Sequence, residues 1–192
     1  MNDFKIRTAI KEQEFRAHYL NPDTRIVDEL SICHGTAIAD IAVINGSLQG
    51  YEIKSDQDTL NRLPNQIESY NKVFDFINIV VSKKFSTKIE HHIPEWWGIL
   101  KVEEIDEHIF INEYRKPILN SSICPYSLLQ LLWKEELILL IEEFGFPKSL
   151  KHKPKRNIWA YISENLESTI IKDKVRYILK TRTNWREDQP LK

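Results

Sequence analysis

A chain of 192 residues with 42% hydrophobic and 29% charged content is long enough for one compact domain with a small appendage. It is neither a disordered or fibrous protein nor a large multidomain enzyme. Cys33 and Cys124 form no close pair, and no apolar run reaches membrane-span length, which excludes a zinc ribbon, a disulfide framework and a transmembrane anchor.

A soluble, unprocessed protein of the reduced cytoplasm is therefore expected, with no membrane partner. The net charge of −1 hides an asymmetry: residues 1–147 carry 15 Lys and Arg against 23 Asp and Glu, and residues 148–192 carry 12 against 5. A basic tail on an acidic body suits a phosphate-binding arm beside a carboxylate-rich site, although plain solubility produces the same pattern.

In chain order, Phe4, Ile6, Ile10 and Phe15 fall at helical spacing, so residues 3–19 are expected to form a helix ending at Asn21-Pro22-Asp23. Strands follow over 25–32, 41–44 and 48–54, with Asn45-Gly46 as a hairpin signal between the last two. Residues 59–74 read as a helix with Pro64 near its start, and 76–82 as a buried strand. Residues 97–102 form another strand candidate and 108–113 a weaker one. Leu128, Leu129, Leu132, Leu137, Leu140 and Ile141 predict one apolar helix ending at Gly145-Phe146-Pro147. A basic connection over 148–156 then leads to helices over 157–165 and 168–181. The division expected is a core over 1–120 and a helical extension over 121–192, packed on or beside it.

The chemistry concentrates in Glu29, Asp40, Glu52 and Lys54. Alternation in a strand puts Glu52 and Lys54 on one face and Tyr51 and Ile53 on the other. The hairpin folds Asp40 back toward Glu52. Two adjacent carboxylates repel unless a cation lies between them, and Mg²⁺ or Mn²⁺ takes one or two carboxylates and completes its shell with water and phosphate. Asp40, Glu52 and the Ile53 carbonyl are the expected ligands, with Glu29 supporting through water or a second ion. Lys54 would orient the attacking hydroxide and offset charge in the transition state. A Glu-x-Lys pair alone more often marks a solvated strand edge. The combination with Asp40, the hairpin and Glu29 favours a site.

The order helix, Glu29, Asp40, Glu52-x-Lys54, helix resembles the αβββαβ core of the PD-(D/E)XK nuclease superfamily, over about residues 3–82. Gln66 and Tyr70, four apart on one helical face, resemble the Gln-x-x-x-Tyr motif of its RecB-like members. Ala39 stands where the superfamily usually has Pro. The resemblance implies a restriction-endonuclease-like α/β fold with a mixed central sheet flanked by helices, plus a C-terminal helical extension. It further implies Mg²⁺- or Mn²⁺-dependent hydrolysis of nucleic acid, most readily DNA, leaving 5′-phosphate and 3′-hydroxyl ends. Restriction, repair, recombination, mobile-element processing and defence are roles the superfamily serves in bacteria. The alternative is a catalytically inactive nucleic-acid-binding or assembly protein that keeps the fold.

Further candidates are weaker. Asp56 and Asp58 suit the entrance of the following helix as caps. Arg62 either meets a phosphate or pairs with a surface acid. His91-His92 lack a ligand-spaced partner, and core packing suits at least one of Trp96 and Trp97. Lys153, Lys155 and Arg156, followed by Trp159 and Tyr161, mix cations with aromatics as strand-binding surfaces do, and Arg182, Trp185 and Arg186 repeat the mixture. Double-strand cutting by one site per chain would call for a homodimer or a partner protein.

Overall fold

The computed structural model describes residues 1–183 and 185, so Arg186 lies outside the described residues. Helix α1 (Asp3–Gln13) starts at Asn2, whose side chain accepts a hydrogen bond from the Lys5 N–H at 3.0 Å, and buries Ile6, Ala9 and Ile10. The helix expected over 3–19 is broken: Phe15 turns into the core, its ring 4.8 Å from that of Tyr51, before a single-turn helix α2 (Arg16–Tyr19). Burying that aromatic side chain outweighs continuing the helix through a polar segment.

Six strands follow: β1 (Arg25–Ile32), β2 (Ala37–Ile44), β3 (Leu48–Lys54), β4 (Phe76–Ser82), β5 (Gly98–Ile105) and β6 (His108–Arg115). They form one sheet in chain order, parallel at β3–β4 and β4–β5 and antiparallel elsewhere. Helix α3 (Leu63–Asn71) joins β3 to β4, so the αβββαβ order of a restriction-endonuclease-like core is present, within a mixed sheet flanked by helices. β4 is buried on both faces from Ile77 to Val81, with Asn78 as a buried polar side chain inside an otherwise apolar run. β6 is a full strand rather than a weak one. Asp106 and Glu107, with φ of 48° and 64°, make a two-residue left-handed turn without the Asn-Gly pair that usually announces it.

The single apolar helix expected after Pro125 is two helices, α4 (Pro125–Leu129) and α5 (Lys134–Glu143). At the break the Glu136 carboxylate accepts the Trp133 N–H at 2.7 Å, starting α5 afresh. Helices α6 (Lys155–Asn165) and α7 (Ser168–Thr181) complete the C-terminal part. One face of the sheet carries α1, with Ile6, Ile10 and Phe15 against Ile41, Tyr51 and Val80. The other carries α3 through α7 in a single cluster with Ile44, Ile79 and Ile99. No described helix is long and apolar enough to cross a membrane.

The last helix is tied to the sheet by charge. Asp75, 2% exposed, accepts the Leu48 N–H at 2.7 Å and both arms of the Arg176 guanidinium at 2.5 and 3.0 Å. Arg176→Ala strands that buried carboxylate, so urea unfolding should show a loss of about 3 kcal/mol. A loss under about 1 kcal/mol, the size of an exposed pair, would show that Asp75 needs no counter-charge.

Candidate active site at the divergence of two strands

The site forms where β2 and β3 part. Their ladder runs from Ile44↔Leu48 to Ile41↔Tyr51, and the next pair in register would be Asp40 and Glu52. Instead of continuing the backbone pairing, the Asp40 carboxylate accepts the Ile53 N–H at 2.7 Å. From α1, Arg7 donates to the Asp40 carbonyl at 2.6 Å and lies 3.6 Å from its carboxylate. Burial and the neighbouring Glu52 push the Asp40 carboxyl up from 3.8 to about 7, while the Ile53 N–H and Arg7 pull the other way. This carboxylate lacks enough positive charge around it.

Glu52 and Lys54 share a face, as strand alternation requires, and both are almost completely buried. Lys54 Nζ donates to Glu52 Oε1 at 2.6 Å and to Gln66 Oε1 at 2.9 Å. Gln66 Nε2 donates to Glu52 Oε1 at 2.6 Å, and Tyr70 Oη to Glu52 Oε2 at 2.5 Å. Gln66 and Tyr70 reach the carboxylate together because i and i+4 share one face of α3. Burial, then the charges of Glu52 and Asp40, hold the Tyr70 hydroxyl well above its ordinary range. It stays a proton donor. The solvated-edge reading of Glu-x-Lys therefore does not describe this strand.

Glu29 does not join this cluster. By register it lies across from Asp40, between Asp28↔Ile41 and Leu30↔Ala39, yet its φ of 53° takes it out of the extended conformation and leaves it exposed. The same local turn reverses which residues of β1 meet the core, from Val27 before it to Leu30 and Ile32 after it. Its neighbour Asp28 turns instead toward α1, where it pairs with Arg7 and Lys11. Arg7 was not anticipated. Its spacing of four from Lys11 was the available signal, a basic stripe on an otherwise core-facing helix.

The remaining candidates are spread out. Asp58 accepts from the Ser55 N–H and hydroxyl, and Asp56 pairs with the amino terminus, so neither caps α3; the N-cap is Arg62. The loop between β3 and α3 is long enough to give both acids closer partners. Arg62 is exposed and has no ion pair among the described residues. Lys153 and Arg156 are exposed at the start of α6, whereas Lys155 is half-buried beside Trp159. His91 and His92 are exposed, and Trp97 is fully buried with its Nε1 donating to Asn71.

Among the described residues, no group of three or more His, Cys, Asp or Glu side chains converges. Two carboxylates lie close enough for the charge of Glu52 to raise Asp40, and this donor set of hard oxygens fits Mg²⁺ or Mn²⁺ better than zinc. Burial and the charge of Glu52 disfavour an ionised Asp40, and a divalent cation between the two carboxylates would offset that repulsion.

The model of the family described as bacteriophage P4 protein cII matches residues 2–192. "Protein cII" of Enterobacteria phage P4 is 25% identical over 182 residues, covering 95% of this chain and 68% of that protein. No solved structure matches. The match runs through sheet, site and C-terminal helices alike, and the chain belongs to the bacteriophage P4 protein cII family.

Proposed function

We propose that this protein is a metal-dependent nuclease of the PD-(D/E)XK type, hydrolysing phosphodiester bonds in nucleic acid, with DNA the favoured substrate. The observation that carries the reading is the meeting of Asp40, Glu52, Lys54, Gln66 and Tyr70 at one point of strand divergence. A charged network of this kind, buried inside a domain, costs desolvation energy that packed apolar residues would avoid. Sites keep such groups for chemistry.

A bound Mg²⁺ or Mn²⁺ would acidify a water and polarise the phosphoryl oxygens. Asp40, Glu52 and the Ile53 carbonyl would hold it. Lys54 places a cation beside Glu52, where it steadies the nucleophile and the charge that grows on the phosphoryl group. Gln66 and Tyr70 fix the orientation of the Glu52 carboxylate, and Arg7 fixes Asp40. Glu29 supports at most through water. Arg62, Lys153 and Arg156 supply exposed cations, without an ion pair among the described residues, for the phosphate backbone.

The direct test is cleavage of supercoiled plasmid and of labelled single-stranded DNA in Mg²⁺, Mn²⁺ or EDTA. Metal-dependent cutting of either substrate supports the reading. Tight DNA binding with no cutting in any metal would favour the inactive nucleic-acid-binding alternative. For the basic surface, Lys153→Glu with Arg156→Glu should weaken DNA binding about tenfold or more at low salt and flatten its salt dependence, since each phosphate contact releases counterions. Unchanged binding and slope would remove this surface from the DNA path.

A further inference from the structure

A cavity of about 370 Å³ opens between β1, the break separating α4 from α5, and the start of α6. This falls in the size range of ligand pockets, roughly 300–1,000 Å³. Its β1 wall contains Glu29, the residue across the ladder from Asp40, so the cavity begins one strand away from the carboxylate pair. Gln130, Trp133, Lys155 and Trp185 line it as well.

Its lining is assembled with unusual rigidity. The Arg182 guanidinium sits 4.3 Å from the Trp133 ring centroid and 4.5 Å from that of Trp185, bridging the two indoles. Arg182 is itself locked by Glu136, at 2.6 and 2.7 Å, and by the Leu131 carbonyl at 2.9 Å. Trp133 nevertheless remains 40% exposed, so much of its surface is not covered by Arg182. Lys155 lies over the Trp159 ring, 5.2 Å from its centroid, and feels the charges of Glu136 and Glu135 without a salt bridge to either among the described residues. Trp185 is 5% exposed, and its buried indole N–H has no hydrogen-bond partner among the described residues.

A fixed aromatic surface, a cation without a salt bridge, an orphaned N–H, and the amide and carboxylate of Gln130 and Glu29 together match one ligand chemistry: a flat heterocycle bearing a phosphate. We propose that this cavity is a nucleotide subsite that takes one unpaired base, stacked on Trp133, with its phosphate met by Lys155. Glu29 is an acceptor only and suits the exocyclic amine of cytosine or adenine. The inference rests on the nuclease reading in one respect, that the occupant belongs to the strand being cut. The preferred substrate then carries a nucleotide out of the duplex stack near the scissile bond, because a paired base cannot enter without the cost of unstacking.

The test is calorimetric titration of the full chain with dCMP and with deoxycytidine in EDTA, which reads the cavity without cleavage. Saturable dCMP binding is expected. Because stacking on one aromatic ring is worth about 1–3 kcal/mol, Trp133→Ala should weaken it roughly 5- to 150-fold, and Trp133→Phe should restore most of the affinity. Lys155→Ala should weaken dCMP while leaving deoxycytidine unchanged. No saturable binding by the wild type, or equal affinity in Trp133→Ala, overturns the proposal even if plasmid is cut. Binding at Trp133 without any cleavage upholds the subsite and removes the nuclease.

Discussion

Asp40→Asn is expected to abolish metal-dependent cleavage and, at the same time, to make the metal-free protein more stable at pH 8. On the proposed nuclease reading, the first effect follows because Asp40 would be a metal ligand beside the reacting phosphate, where loss of a single electrostatic contact commonly costs about 10²- to 10³-fold. The second follows from the Asp40 carboxyl being raised from 3.8 to about 7 by burial and by Glu52. The folded protein holds this proton more tightly than the unfolded chain. Stability linked to Asp40 is therefore fully present below about pH 4 and is lost as the pH rises toward 7.

Asn keeps an oxygen for the Ile53 N–H but never ionises. At about 1.4 kcal/mol per pH unit over the interval from 3.8 to about 7, the substitution should add on the order of 4 kcal/mol at pH 8 and almost nothing at pH 4. A rise in unfolding temperature of roughly 8–16 °C at pH 8 is the corresponding calorimetric result for a chain of this size. Millimolar Mg²⁺ should close much of the gap by stabilising the wild type alone. A variant less stable than wild type at pH 8 would show that Asp40 is not a strained charge, and the argument for a cation there would fall with it.

Lys54→Met is expected to have the opposite thermodynamic sign. Lys54 and Glu52 are 3% and 1% exposed, and their 2.6 Å contact is a buried ion pair inside the domain. Removing the cation leaves Glu52 with only Gln66 and Tyr70, at a cost of about 3–5 kcal/mol. The double variant Glu52→Gln with Lys54→Met should recover most of that loss, since no uncompensated charge remains. A double-mutant cycle by urea unfolding measures the coupling, and additive effects of the two changes would mean that the pair is not a unit. The catalytic consequence is practical: cleavage lost in a Lys54 variant speaks for chemistry only where the variant is shown to be folded. Asp40→Asn is the cleaner probe.

The two predictions depend on different parts of one network, which is why their signs differ. Asp40 is buried beside the charge of Glu52, and Arg7 partly offsets this from 3.6 Å. Glu52 stands where Lys54, Gln66 and Tyr70 already satisfy it. An incoming cation gains most by approaching from the Asp40 side.

Periodicity by itself determined a good deal of this protein. Strand alternation put Glu52 and Lys54 on a common face, and the four-residue spacing brought Gln66 and Tyr70 to the same carboxylate. The largely apolar stretch of β4, interrupted by Asn78, declared a buried strand. These features repeat along an element, so sequence records them several times over.

Tertiary structure alone decided what depends on one residue or on distant partners. Glu29 leaves the cluster through its own left-handed φ, which no hydrophobic pattern encodes. Arg7 reaches Asp40 because α1 packs across the sheet, and the break at Trp133 exists because Glu136 caps a new helix while holding Arg182 from the far end of the chain. The cavity beside Glu29 is assembled from β1 and from segments about a hundred residues or more further along the chain, up to Trp185. Contacts of that range are set by how faces pack, and spacing along the chain carries no trace of them.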